Sequence, residues 1–373
     1  MGLYLSADCC MVSVMDIDMY QIENRRLSSC TTLGLGGTPD AYYAVNVDDE
    51  LIKALQHFED TGEPFMFLGG GSNVVVSDLG VDGSVLSFKP PAQSPMFQGD
   101  DIVVEAGAIW DDFVSWSVGR GLAGVSCMSG IPGCVGAAPI QNIGAYGQEV
   151  GEVITWVEVV DLKTRQRSRM TAESCEFGYR DSIFKRSLKG RVVVTRVGFR
   201  LEARRTIKPR YAELKAALGD VATLESARAE VLKIRERKGM TLGHPFGFTS
   251  AGSFFMNPIV DSDALDRIRR AVDPGGRVPS WDMPNGRHKV AAAWLIETAG
   301  FHKGTRRGQV GISPKHALSL VNFGGGRTET LLSLALEIQQ VVFDKFGVWL
   351  VMEPELVGKG LDAFRDLKRD TPE

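Results

Sequence analysis

The 373-residue chain has no excess of positive charge: 42 Lys and Arg stand against 46 Asp and Glu, a formal net charge of −4. No global field is therefore available to hold nucleic acid or an anionic membrane surface. No apolar run approaches the ~18 residues that argue a transmembrane helix. The six cysteines, Cys9, Cys10, Cys30, Cys127, Cys134 and Cys175, form no CxxC pair, which argues against a zinc ribbon and a secreted disulfide framework and for reduced thiols in the cytoplasm. The N-terminus lacks the basic segment of a secretory signal. Gly2 and Ser6 fit a short myristoylation pattern, but residues 1–23 read better as a poorly ordered extension, with Met15 and Met19 as alternative starts. Also missing are a Rossmann GxGxxG between strand and helix, a Walker GxxxxGK[ST], a GxSxG elbow and an HExxH pair, so no metal is expected.

Glycine is what the chain has in surplus, 42 of 373 residues, about 11% against a usual ~7%. The remaining composition, 44% hydrophobic and 24% charged, is that of a globular protein, and at ~150 residues per domain the length suggests two or three domains. Up to residue 203 short β-like runs alternate with glycine turns. Leu51, Ile52, Leu55 and Phe58 recur at helical spacing before Gly62, which predicts a helix over 48–61. Strands are expected at 65–68, 74–76, 102–106, 153–161 and 192–201, and a helix at 110–120. After Arg204 the texture turns helical, with helices expected at 223–237, 261–272, 290–299 and 328–345 before a final alternating strand, VWLVMEPELVG.

Two glycine-rich segments stand out. Gly69, Gly70, Gly71, Ser72 and Asn73 join two strands; their N–H groups can converge on an anion, although a tight hairpin turn would also account for them. Residues 129–147, SGIPGCVGAAPIQNIGAYG, carry few bulky side chains, as suits a backbone packed on something flat or a close-packed turn. Together they favour a bound aromatic dinucleotide. Three further segments each set a polar group in apolar surroundings: Arg180 in FGYRDSIFK, Ser253 in SAGSFFMNP and Glu355 in VMEPELVG. Singly, each is explained by an ion pair, a cap or a turn; jointly, they suggest a site. None of the five histidines has metal spacing, though His316 lies near other candidates.

Taken in order, GGGSN, SGIPGCVGAAPIQNIGAYGQE, CEFGYRDSIFK, GSFFMNP, AAAWLIETAGFHKG and EPEL resemble the UDP-N-acetylenolpyruvoylglucosamine reductase family, the MurB proteins of peptidoglycan synthesis, from about residue 27 to 358. The resemblance implies an α+β fold: an FAD-binding domain of the p-cresol methylhydroxylase type over 24–203, in subdomains 24–89 and 90–203, then a substrate-binding domain over 204–360 and a tail over 361–373. It implies non-covalent FAD, NADPH as co-substrate, a UDP-sugar enolpyruvyl ether as substrate, and a cytoplasmic monomer. Gly69, Gly70, Gly71, Ser72 and Asn73 would hold the FAD pyrophosphate. Ser129, Gly130, Gly136, Ile140, Asn142, Gly144, Ala145 and Gly147 would line the cofactor. Arg180 matches the catalytic arginine, Ser253 the proton donor and Glu355 a second acid; Tyr179, Tyr211, Lys238 and Asn257 would contact the substrate. The chain departs from the family at Cys30-Thr31-Thr32-Leu33-Gly34, where an Asn-Thr-Phe-like motif is usual.

Enolpyruvyl reduction places a hydride on C3 and a proton on C2, which suits a flavin, an arginine for the carboxylate and a hydroxyl donor. Two other readings remain: a different flavin oxidase or dehydrogenase on the same cofactor domain, and a non-catalytic nucleotide-sugar binder with a degenerate flavin site.

Overall fold

The structure, a computed structural model, describes residues 20–22, 25–272 and 277–366. Gly2, Ser6, Cys9, Cys10, Met15 and Met19 lie outside the described residues.

In the first unit the helix Asp49–Thr61 buries Leu51, Ala54, Leu55 and Phe58 on one face, carries Asp49 and Glu50 in its first turn, and stops at Gly62 in the left-handed conformation. A fully buried Leu or Phe contributes about 1.5–3 kcal/mol, so this face fixes the helix on the sheet. The strands Ala41–Val45 and Phe65–Phe67 both pair in parallel with Ser84–Phe88 between them. Tyr20–Gln21 pairs antiparallel on the edge, Tyr20 opposite Ala44. The end of the segment expected to be a poorly ordered extension thus joins the sheet.

The second unit is a five-stranded antiparallel sheet in the order Arg167–Thr171, Ile154–Asp161, Val192–Phe199, Asp101–Glu105, Met96–Gln98. Trp110 and Phe113 of the helix Trp110–Gly119 pack against Phe199, with Phe113 and Phe199 ring centroids 4.7 Å apart. Leu224, Ala227, Val231 and Ile234 of the helix Leu224–Arg237 join this same core. The change of texture at residue 204 marks where the long strands end, whereas packing carries the second core on to residue 234, because the apolar stripe of that helix is buried here.

The third unit packs the helices Ser262–Arg270, Ala292–Thr298 and Thr328–Phe346 with short antiparallel strands around one core, which also takes in Leu33, Leu35 and Val75. Its last strand, Glu355–Val357, pairs in parallel with Val74–Val76. Phe65–Phe67 and Val74–Val76 therefore belong to different sheets, and the glycine loop between them is not a hairpin turn. The final strand is shorter than the alternation predicts: ladder pairing covers only Glu355–Val357, with an isolated bridge between Phe255 and Met352. Pro354 has no N–H to give, and the Leu350 carbonyl accepts from the buried Gln339 side chain instead. Burial still alternates, with Val348, Leu350, Met352 and Leu356 inside, which is why the run reads as a strand. Beyond it Leu361 is buried and leads into the short helix Asp362–Asp366, so the expected tail is partly structured. Among the described residues no helix is long and apolar enough to cross a membrane.

Candidate functional site

The glycines at 69–71 are dictated by close approach of backbone to backbone. A Cβ on Gly70 would lie 2.5 Å from the Gly133 Cα, and one on Gly71, whose φ is +60°, would lie 1.9 Å from the Cys30 carbonyl oxygen. The loop is thus pressed between 30–31 and 133–134, bringing the two glycine-rich segments into contact. Overpacking of this kind costs roughly 1–3 kcal/mol. Gly70→Ala is expected to displace the loop and lower the content of the FAD that the sequence resemblance implies, read from the visible absorbance of the purified protein, without unfolding the third unit.

A cavity of about 310 Å³ opens beside this contact, within the range of ligand sites. Ser72, Asn73, Gly144, Ala145, Arg180 and Ser253 line it, so one cavity draws on both glycine segments and two of the three isolated polar groups. The other expected cofactor residues are not among those that line it. Gly69, Gly70, Gly71 and Gly136 pack backbone against neighbours. Ser129 Oγ donates to the Ser126 carbonyl, and Gly130 N–H donates to Asp111. Asn142 is buried, accepting from Gly151 N–H and donating to the Gly178 carbonyl. The Ile140 carbonyl accepts from Ser182 Oγ, and a Cβ on Gly147 would meet Arg210.

Arg180 is held in a left-handed conformation, φ +55°, as are Asn142 and Tyr146. Such strain in non-glycine residues collects at functional sites. Its Nη2 donates to the Gly144 carbonyl at 2.6 Å and Nη1 to the Asn142 carbonyl at 3.4 Å. Its Nε lies 3.4 Å from Glu353 Oε1. Glu353, not Glu355, lines the cavity; Glu355 forms an ion pair with Lys189 at 2.6 Å, with 43% of its side chain exposed. Glu353 and Glu355 lie on the same face of an alternating run, and the side chain of the first is the more covered of the two. Burial raises the Glu353 carboxyl above its ordinary range, while Arg180 and Lys185 pull it back. A carboxyl raised in the folded state subtracts stability as pH climbs from its unfolded value, ~4.3, through the raised one.

Ser253 is held at the same wall by the backbone bonds of the residue that follows it: Phe254 N–H donates to the Leu318 carbonyl at 2.8 Å, and Glu353 N–H to the Phe254 carbonyl at 2.9 Å. The expected substrate residues form two groups outside the cavity lining. Tyr211 sits edge-on to Tyr146, with centroids 5.3 Å apart, and Lys238 Nζ lies over both rings while pairing with Glu213 at 2.7 Å. His316 belongs with this group: burial, then the charges of Lys238 and Lys303, push its pKa down to about 4, so it is neutral at pH 7. Tyr179 lies under Lys289 at 4.9 Å, and Asn257 accepts from Ala292 N–H at 2.9 Å.

Among the cavity residues that escape sequence reasoning are Thr32 and Arg235. Thr32 lines the cavity, and its Oγ1 is buried without a hydrogen-bond partner among the described residues, although it stands in the stretch that departs from the family motif. Arg235, 8% exposed, spends Nε on the Gly130 carbonyl and Nη2 on the Met240 carbonyl while lining the cavity. In sequence it is one charge among many on a charged helix; the signal was its place on that helix's apolar stripe, one residue after Ile234. An orphan hydroxyl, a fixed guanidinium and a small-residue wall suit an anionic, flat cofactor such as FAD.

A family profile described as FAD binding domain matches residues 39–166. Fold and cavity together define an FAD-dependent oxidoreductase. A second profile, the UDP-N-acetylenolpyruvoylglucosamine reductase C-terminal domain, matches residues 244–357. The chain is 43% identical over 348 residues to the UDP-N-acetylenolpyruvoylglucosamine reductase of Thermobifida fusca, covering 90% of this chain and 97% of that one. It is 40% identical to that of Mycolicibacterium smegmatis, covering 89% and 94%. The crystal structure of UDP-N-acetylenolpyruvylglucosamine reductase (MurB) from Thermus caldophilus superposes with a TM-score of 0.63 at 26% identity, over 91% of this chain and 98% of that one. The chain belongs to the UDP-N-acetylenolpyruvoylglucosamine reductase family.

Proposed function

We propose that the protein reduces the enolpyruvyl ether of UDP-N-acetylglucosamine to UDP-N-acetylmuramate in the cytoplasm, with NADPH as the reductant. The observation that carries this reading is the convergence of Asn73, Arg180 and Ser253 on one cavity. When bound, FAD supplies the hydride that ends on C3 of the alkene. Ser72, Asn73, Thr32 and Arg235 would hold it.

Of the five N–H groups of a guanidinium, Arg180 commits three, to Glu353 and two carbonyls. One N–H on each terminal nitrogen is left for the substrate carboxylate, a bidentate contact. Charge that builds on C2 and the adjoining carboxylate falls against this cation. Ser253 Oγ gives its proton to C2, where a strongly basic carbon needs a well-placed hydroxyl more than an acidic one. Tyr179, Tyr211, Lys238 and Asn257 serve the UDP-sugar. For Glu355 as a second acid the support is the EPEL motif; the role requires its carboxylate to leave Lys189.

The test is anaerobic stopped-flow absorbance. The yellow protein should bleach with NADPH and recover its colour with the enolpyruvyl sugar but not with simple alcohols or aldehydes. Colourless protein that takes up no added FAD, or flavin reoxidised equally by generic acceptors, would sink the reading.

A further inference from the structure

An unassigned chain of hydrogen bonds that ends in an ion pair links the cofactor loop to the substrate arginine. Asn73 Nδ2 donates to Gln141 Oε1 and also to the Glu353 carbonyl at 3.3 Å. Gln141 Nε2 donates to Glu353 Oε1 at 2.5 Å, and the same oxygen faces Arg180 Nε at 3.4 Å. Four side chains from four separate parts of the sequence thus form one line along the cavity wall, and all four border the cavity. We propose that Glu353 is a positioning residue that orients the Arg180 guanidinium and, through Gln141, couples it to Asn73 of the glycine loop.

The geometry gives the reason. Arg180 is anchored on one edge by two backbone carbonyls of the 142–144 segment, which fix its terminal nitrogens but leave rotation about the long side chain open. A carboxylate on Nε supplies the third point and aims the two uncommitted N–H groups. Only 14% of the Glu353 side chain and 19% of the Arg180 side chain are exposed, so water competes poorly for this pair, and removing one partner leaves the other buried and unpaired. Lys185, which donates to the Arg180 carbonyl at 2.9 Å, adds positive charge that Glu353 also offsets.

The proposal rests on the reading of Arg180 as the substrate-carboxylate group, and the tests separate the two. In Glu353→Gln, flavin reduction by NADPH should stay within about 3-fold of wild type, while reoxidation by the enolpyruvyl sugar falls about 30-fold at saturation. In an Arg180→Lys background the same change should cost less than about 2-fold, because its effect passes through the arginine. A full, additive 30-fold loss in that background, or reoxidation by Glu353→Gln at the wild-type rate, overturns the proposal; so does a parallel fall of both half-reactions, which marks a merely structural role. A readout that needs no sugar covers failure of the substrate reading. Gln141→Ala and Glu353→Gln should each raise the dissociation constant for FAD about 5-fold, and the double variant no more than the larger single effect. Unchanged FAD affinity in both variants, or additive losses, overturns the coupling whatever the substrate proves to be.

Discussion

Ser253→Ala is expected to leave flavin reduction by NADPH near the wild-type rate and to cut reoxidation by the enolpyruvyl sugar by about 10³-fold, within the ~10²–10⁴ that a positioned acid contributes. The backbone around Ser253 is pinned independently of its side chain, by the Phe254 bonds to Leu318 and Glu353 and by the buried Phe254 ring. Alanine therefore removes the hydroxyl and little else. Hydride and proton must both arrive for the sugar to leave as product, and without Oγ the charge on C2 has no matched donor. Separate stopped-flow measurements of the two half-reactions check this. Equal slowing of both would assign Ser253 to the frame of the cavity.

Arg180→Lys should slow reoxidation by about 10²–10³-fold, comparable to losing a fixed donor at a developing charge, again with NADPH reduction little changed. Lysine keeps the charge and tolerates φ +55° no worse than arginine does. It cannot hold Glu353, the Asn142 carbonyl and the Gly144 carbonyl while still offering a fork to a carboxylate. The loss should fall on the turnover number more than on KM, because orientation matters most as charge builds on C2. A lysine variant within a few-fold of wild type would mean that charge alone suffices.

Much of this site was legible because its chemistry depends on residue type. Three glycines before Ser72-Asn73, the small-residue run to Gly147, Arg180 and Ser253 are unusual locally, and the fold brings Ser72, Asn73, Gly144, Ala145, Arg180 and Ser253 to one cavity. Pairing was less legible. Val74–Val76 is a strand as its β-branched residues predict, yet its partner is Glu355–Val357, and a three-residue run carries no mark of which edge it will join. Glu353 and Glu355 share a face of an alternating segment, and only the neighbours from the Arg180 loop decide which is covered. Thr32 and Arg235 went unseen because their significance lies in contacts made across the fold: an orphan hydroxyl and a guanidinium buried at the end of an otherwise charged helix.

The pairing of Val74–Val76 with Glu355–Val357 also sets a timetable for biosynthesis. Asn73 and Glu353 are 280 residues apart, and at a synthesis rate of ~5–20 residues per second the ribosome takes about 15–60 s to cover that span. Until then the glycine loop lacks its neighbouring strand and the cavity lacks its carboxyl wall. Such a contact is slow to close and cannot nucleate folding early. The glycine loop of the cofactor cradle therefore leaves the ribosome well before the strand and the carboxyl that complete it.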